Sequence, residues 1–293
     1  MTLRYTIDQF RTDYPNDDAC LDKIFQLRFK GLICPKCEST KEFTRVKNRR
    51  SYQCPNCSQQ VYPTKDTVFE KTTTPLTYWF YAIFLQTTTR NGVAAKELER
   101  QLNVCYKTAL RMSHQIKILM ANNRLGKLTG KVQVDESYFG MKFDNMHSKK
   151  RATYYNEDGT RNDNKAGVMG FVTDDKKVIF EVMDDTKTFK ERVRKHVDPS
   201  AILVTDSHLG YKGLDINYLK HEVINHLQNE FKRGEFHTNG IENAWSNLKR
   251  TIKGTHIHVS VKYLQLYADE VAFRLMNKDK QDIMFDTILS HVA

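Results

Sequence analysis

Along the chain, the spacing of apolar positions changes character several times. Over residues 5–30, Phe10, Leu21, Ile24, Phe25 and Leu27 supply the apolar positions of a short helical cap, with Asp17 or Asp18 as its start. Between residue 31 and about 63 the helical spacing gives way to two brief strand-like runs, Lys41–Arg45 and Arg50–Gln53. Thr74-Pro75 then reads as an N-cap followed by proline at the first helical position. Leu76–Leu85 is apolar nearly all round, so that helix is expected to be buried. Leu98 and Leu102 face inward on a second helix, and a short turn falls at Asn103-Val104. Ala109, Met112, Ile116 and Leu119 line one face of a third. Two helices joined by so short a turn form a helix-turn-helix pattern, although plain helical hairpins share it. Its second helix would present Tyr106, Lys107, Thr108 and Arg111 to a major groove.

Beyond Lys131 strands alternate with helices. Val132–Val134 is a short strand ending at Asp135; Ala166–Val172 and Lys177–Val182 follow, joined through Thr173-Asp174-Asp175. Phe189–His196 reads as a helix, Ala201–Thr205 as a buried strand ending at Asp206, and His221–Ile224 as a last strand. Helices over Asn239–Lys253 and Val261–Met276 complete the pattern. Three strands, a helix, another strand and then helices is the order of an RNase H-like fold. The expected architecture is therefore multidomain α+β. Residues 1–66 hold N-terminal helices and a ribbon, 67–126 the helix-turn-helix, and 127–293 an RNase H-like α/β catalytic domain. The stretch 142–165, rich in Lys, Arg, Asn and Asp, reads as a DNA-facing loop.

Cysteine spacing and charge sharpen this picture. Cys34-Pro-Lys-Cys37 and Cys54-Pro-Asn-Cys57 are two C-x-x-C pairs separated by sixteen residues, the spacing of a zinc ribbon. Nothing resembling a signal peptide precedes them, which favours reduced thiolates over disulfides and a cytoplasmic, nucleoid-associated setting in a bacterium, or a nuclear one in a eukaryote. Cys20 and Cys105 read as buried thiols. Forty-six Lys and Arg against thirty-five Asp and Glu give a net charge of +11, so contact with a polyanion is favoured and salt-dependent. Lys36, Lys41, Arg45, Lys47, Arg49 and Arg50 surround the ribbon. No run of eighteen apolar residues exists, which argues against a membrane helix.

The candidate chemistry lies at strand ends. Asp135 and Asp206 each close a predicted buried strand, where side chains of an α/β sheet converge on ligands. Glu242, on a helix beginning near Thr238-Asn239, is the candidate third carboxylate, and Lys249 lies two helical turns further along the same face. Asn239, one turn before Glu242, is an amide ligand or a substrate contact. Such hard oxygen donors favour Mg(II) or Mn(II). Singly, each residue has an ordinary role: a turn for Asp135, a helix cap for Asp206, a solvated helix face for Glu242 and Lys249. Their joint placement favours catalysis. His226 and His237 read as structural histidines.

These features together resemble DDE-type insertion-sequence transposases with an N-terminal zinc ribbon, an ISXO-like bacterial group related to eukaryotic Merlin elements. The resemblance spans nearly the whole chain. It rests on the ribbon, on Thr67-Val-Phe69 leading to Thr74-Pro-Leu76, and on Leu98-Glu-Arg-Gln-Leu102 with Tyr106-Lys-Thr108. It continues through Val134-Asp-Glu-Ser137, Val204-Thr-Asp206 and Tyr267-Ala-Asp-Glu-Val-Ala-Phe-Arg274. Its most specific part is His237-Thr-Asn-Gly-Ile-Glu-Asn-Ala-Trp-Ser-Asn-Leu-Lys-Arg250. The resemblance implies Asp135 and Asp206 as ligands of catalytic metal, and Asn239 or Glu242 as the third. It implies terminal inverted repeats and target DNA as partners, with a homodimer or higher oligomer pairing two DNA ends. A third carboxylate offsets more dication charge than an amide, so Glu242 is preferred, with Asn239 assisting.

Overall fold

The computed structural model describes residues 5–121, 125–140, 148, 165–184, 187–224, 232–233 and 236–292. Most of the stretch 142–165, and His226, lie outside them. The chain forms two compact units: residues 1–122 with 277–293, and residues 123–276.

In the first unit, Thr6 begins helix α1 (Ile7–Asp13) with a reciprocal capping box to Gln9, and Asn16 caps α2 (Asp17–Phe29). Asp17 is therefore the first residue of α2 rather than its cap, and its carboxylate works elsewhere. Asp17 Oδ1 accepts from the backbone N–H of Thr77 at 2.9 Å and from its hydroxyl at 3.0 Å. Those donors open α3 (Leu76–Thr88), whose N-cap position holds Pro75 without any side-chain cap of its own. The expected Thr74 cap is thus replaced by a carboxylate reaching across from α2. Burial pushes the pKa of Asp17 up, but the N–H groups of Thr77 and Leu76, the Thr77 hydroxyl and Arg50 outweigh it and hold the group below the ordinary carboxylate value.

Between α2 and α3 lies a three-stranded antiparallel sheet of two-residue strands: β1 (Thr44–Arg45), β2 (Tyr52–Gln53) and β3 (Gln60–Val61). After α3 come α4 (Ala95–Leu102) and α5 (Tyr106–Ala121), separated by Asn103 in the left-handed region at φ 50° and ψ 46°. Asparagine tolerates that conformation better than most residues, which explains why the turn falls there.

The second unit is a five-stranded sheet. It contains β4 (Lys131–Phe139), β5 (Ala166–Thr173), β6 (Val178–Val182), β7 (Ile202–Asp206) and β8 (Lys220–Ile224), in the order β6-β5-β4-β7-β8. β4, β5 and β6 pair antiparallel, whereas β4, β7 and β8 run parallel. Helix α6 (Phe189–His196) connects the two halves. A short hairpin of β9 (Lys232–Arg233) and β10 (Phe236–His237) precedes α7 (Asn239–Arg250). A π-helical turn, Thr251–His256, leads toward α8 (Leu264–Met276).

One face of the sheet packs Val168, Val172 and Phe180 against Ile241, Trp245 and Leu248 of α7 and Val271 of α8. The other packs Val132, Val134, Phe171 and Leu203 against Val193, Tyr211 and Leu214. Each such large side chain, fully buried, contributes roughly 1.5–3 kcal/mol. α7 approaches β5 so closely that a Cβ on Gly170 would lie 2.6 Å from Ile241 and 2.8 Å from Trp245. At the sheet's outer edge Gln265 substitutes for a missing strand. Its amide accepts from Val182 N–H at 2.8 Å and donates to Phe180 C=O at 2.8 Å, covering groups that an open edge would expose.

The last helix, α9 (Met284–Ser290), folds with the first unit, against α2, α3 and α5. Residues 277–293 therefore part from the segment 127–276 that the strand and helix pattern grouped them with.

Candidate functional site

The four ribbon cysteines are built into two similar knuckles. In each, the first cysteine's N–H donates to a carbonyl five residues on, Ser39 at 3.0 Å and Gln59 at 2.9 Å. Glu38 and Ser58, at the same place in each knuckle, adopt φ of 56° and 59°. The sulfur atoms of Cys34, Cys37, Cys54 and Cys57 all lie within 4.8 Å of one another, with Cys34–Cys57 at 3.6 Å and Cys37–Cys54 at 3.7 Å. Four sulfurs each ~2.3 Å from a central Zn(II) would stand about 3.8 Å apart, so the cluster fits a structural zinc ion. Asn56 donates from its amide to Cys37 Sγ at 3.5 Å, the kind of outer hydrogen bond that orients a thiolate ligand. The other two cysteines separate: Cys20 is buried, but Cys105 is exposed, because it sits at the solvent-facing start of α5.

The second unit brings Asp135 and Asp206 onto neighbouring strands. β4 and β7 are parallel and pair as far as Gln133 opposite Val204; Asp135 and Asp206 each lie two residues beyond that pair, close enough for the charge of Asp206 to act on Asp135. Both then face α7, since Gln133 on the same side of β4 accepts from the N–H of Ile241 at 3.0 Å. Contrary to the expectation from sequence, Asp135 does not end its strand. β4 runs on to Phe139 paired with β5, and it is β7 that stops at Asp206.

Trp245, a buried residue that periodicity marks only as core, donates its indole N–H to Asp135 Oδ2 at 2.8 Å. Burial pushes Asp135 up to about 6; the charges of Glu136 and Asp206 add to the shift, while the indole and a backbone N–H pull against it. Glu136, on the opposite face of β4, accepts from the Tyr211 hydroxyl at 2.6 Å and lies 3.8 Å from His208 Nε2. Asp206 in turn accepts from His208 N–H at 3.0 Å. These contacts fix the β7 terminus from both sides of the sheet.

Glu242 lies in the first turn of α7, exposed, and accepts from the Thr238 hydroxyl at 2.8 Å. Lys249 is exposed two turns further on, and Asn239 is exposed at the helix start. Among the described residues, the oxygens of Asp135, Asp206 and Glu242 do not all lie within 4.8 Å of one another, unlike the cysteine cluster.

Residues 127–276 match the model of the ISXO2-like transposase domain, and residues 15–60 match the transposase zinc-ribbon domain. The chain belongs to the ISXO2-like transposase family. It is also similar, at 26% identity over 253 residues, to a Halobacterium salinarum protein described as an uncharacterized protein in transposable element ISH50. The alignment covers 83% of this chain and 85% of that relative.

In this transposase the candidate DNA-facing residues divide. Tyr106, Lys107 and Arg111 are exposed on α5, with Thr108 half-buried beside them. Lys96 of α4 stands 5.7 Å from the Tyr106 ring centre, and Arg111 stands 5.9 Å from that of Trp79. Arg49 is exposed, whereas Arg50 is engaged within the unit. It donates to Thr72 C=O at 2.9 Å and Thr74 C=O at 3.3 Å, and pairs with Asp17 at 3.2 Å. Arg45 is similarly turned inward, to the carbonyls of Val46, Arg49 and Ser51 and to Asp18. Among the described residues no helix of the transposase is long and apolar enough to cross a membrane.

Proposed function

We propose that this transposase binds the terminal inverted repeats of its element, frees a 3′-hydroxyl by hydrolysing a phosphodiester, and joins that end to target DNA. The observation that carries the reading is the nearness of Asp135 and Asp206, each two residues beyond the last paired positions of the parallel strands β4 and β7, beneath a helix anchored by the Trp245–Asp135 hydrogen bond. The strand order β6-β5-β4-β7-β8, with antiparallel pairing on one side and parallel on the other, supports an RNase H-like catalytic unit. The α4–α5 pair, with its left-handed Asn103 turn, supports a helix-turn-helix.

The donor set suits Mg(II) or Mn(II), and a dication would favour the ionised form of Asp135 against the burial, and the lesser repulsion from Glu136 and Asp206, that push this carboxyl up. Asp135 and Asp206 would hold it, joined by Glu242 with Asn239 assisting. Such an ion supplies Lewis-acid activation of the attacking oxygen and stabilisation of the leaving one. The chain's own residues set the rest. Trp245 holds Asp135 in one orientation, and the Thr238 hydroxyl, donating to one oxygen of Glu242, leaves the other oxygen to join the two aspartates. Lys249, on the stripe of Glu242, attracts a DNA phosphate. In the first reaction water displaces the 3′-oxygen from phosphorus and that oxygen leaves with a proton. In the second the freed 3′-hydroxyl displaces a target-strand oxygen in the same in-line manner. Two ends must be processed together, so the active form is a homodimer or higher oligomer on DNA.

The test is to incubate the protein, Mg(II) or Mn(II) and labelled DNA from the element's ends, comparing wild type with Asp206→Asn and Glu242→Gln. Cleavage and joining lost in both variants is the expected result. Activity surviving in Glu242→Gln would move the third ligand to Asn239. Specific binding without cleavage by any form would overturn the catalytic reading and leave a DNA-binding protein.

A further inference from the structure

The segment after α7 carries a feature that the candidate reaction does not use. The π-helical turn Thr251–His256 ends at Ile257, whose backbone sits at φ 62° and ψ −54°. His258 N–H donates to His256 C=O at 2.6 Å, closing a three-residue γ-turn around Ile257. This is the strained form of the γ-turn, and a β-branched residue at positive φ is a true outlier. Strain of this kind persists only where neighbouring structure enforces it. Here the neighbour is His256. Its ring lies 4.6 Å from that of Tyr267, and its Nε2 lies 3.8 Å from Glu270, which Arg274 also holds at 2.9 Å. The base of the turn is seated on α8, and the tip is bare: Ile257 is 82% exposed.

Along the chain, the exposed charges that flank the tip have one sign, the nearby Glu270 being fully buried. From Asn243 to Ala268 the sequence contains no Asp or Glu, and its Lys249, Arg250, Lys253 and Lys262 are all exposed. Val261 and Tyr263 are also exposed, giving an apolar tip and a short apolar flank in a field of cations. A protein partner would be expected to cover apolar side chains with apolar ones. A flanking sequence of exposed cations without carboxylates instead suits a polyanion whose interior is apolar and stacked.

We propose that Ile257 is a wedge that enters a DNA duplex between base pairs while the surrounding cations hold its phosphates. The proposal rests on the reading of the chain as acting on DNA, and goes beyond it by assigning a distortion and a residue. Apolar side chains used in this way unstack a step and kink the duplex. Twelve residues separate Ile257 from Trp245, which touches Asp135. At ~1.5 Å per residue that is at most about 18 Å, or roughly five base pairs at 3.4 Å each. The wedge therefore acts within roughly five base pairs of the phosphate at the carboxylates.

The experiment uses full-length protein and element-end duplexes carrying 2-aminopurine at successive positions, with binding followed separately by gel shift. Wild type and Ile257→Met are expected to raise the fluorescence at one step within that distance. Ile257→Gly, which removes the side chain and suits the positive φ, is expected to lose the rise. Its melting temperature should be no lower than wild type, and its affinity should stay within roughly threefold, because no charge is removed. A duplex with a preformed mismatch at that step should restore wild-type cleavage to Ile257→Gly. Binding by wild type without any rise, or an equal rise in Ile257→Gly, would overturn the wedge while leaving the DNA reading intact. A shift of Ile257→Gly to a smaller oligomer with the rise unchanged would make the tip a subunit contact and overturn it too. Failure of wild type to bind the duplex at all would overturn the DNA reading and the wedge with it.

Discussion

Trp245 shows how a core position also serves the candidate site. Its ring packs with Phe180 and Phe139 under the sheet while its indole N–H reaches Asp135. The placement of the two aspartates on buried strands was legible in the sequence because each follows a β-rich run, although β4 continues past Asp135; the contact from Trp245 was not, since helical spacing distinguishes only inward from outward. Replacing it with phenylalanine keeps an aromatic ring and deletes the donor. The expected result is strand cleavage slowed roughly tenfold, equivalent to about 1.4 kcal/mol in the transition state. The melting temperature of the second unit should fall by only a few degrees. An unchanged cleavage rate would remove Trp245 from any positioning role. A second residue with a measurable consequence is Glu181, half-buried on β6. It accepts from Arg192 at 3.1 Å, Lys195 at 3.0 Å and His196 at 2.6 Å. Burial pushes this carboxyl up, but His196 and Lys195 hold it down to about 2. Because the folded value lies below the ordinary one of 4.5, the stabilisation is complete above about pH 4.5 and is lost as pH falls toward 2. It amounts to about 3 kcal/mol. The difference between wild-type and Glu181→Gln unfolding free energies, measured in urea across that range, should shrink as pH falls. A difference independent of pH would show that the ion cluster contributes nothing specific.

Among the elements, the ribbon depends most on something outside the polypeptide. Its strands are two residues each, tied to α2 by Tyr52, stacked on Phe25 with centres 4.0 Å apart, and by Arg45, paired with Asp18 at 2.7 Å. So short a sheet cannot offset its own ordering entropy, and the cysteine cluster is expected to supply the difference. One zinc per chain should be found by elemental analysis. A strong chelator, or Cys54→Ser, should expose residues 44–61 to limited proteolysis while the second unit stays resistant. Full protease resistance after zinc loss would mean that packing alone holds the ribbon. The ribbon was readable because cysteine spacing is a local code. The longer elements were readable to within a few residues, as with α6, which begins at Phe189 and ends at His196. Ends failed where a remote group set them. Asp17 caps α3 from another helix, and β4 outruns its expected end because β5 continues to pair with it. Arg49 and Arg50 are adjacent and chemically alike, yet only the fold decides that one is exposed and the other donates to Thr72 and Thr74.

At the scale of the whole molecule, the chain returns to where it began. The transposase domain match stops at Met276, and at that residue the second unit also stops. The helical spacing of Met284, Phe285, Ile288 and Leu289 identifies an amphipathic helix, but nothing local says which core it will join. In the structure Phe285 enters the aromatic cluster of Tyr5, Phe10, Tyr14 and Phe80, at centre distances of 5.3 to 6.2 Å. Lys23 pairs with Asp286 at 2.7 Å, and His291 Nδ1 lies 2.7 Å from Leu119 C=O. The C-terminal tail is therefore a structural part of the ribbon-bearing unit. Deleting residues 277–293 should destabilise that unit by several kcal/mol, since truncating one buried phenylalanine alone costs about 3–5 kcal/mol. The second unit should be unaffected. The chain's two tryptophans separate these outcomes, because Trp79 lies in the first unit and Trp245 in the second. With Trp245→Phe as background, Trp79 fluorescence reports the first unit; with Trp79→Phe, Trp245 reports the second. The deletion should lower the denaturation midpoint seen by Trp79 and leave that seen by Trp245 in place. Phe285→Ala should act in the same direction and less strongly, and the reverse pattern would return the tail to the sheet-bearing unit.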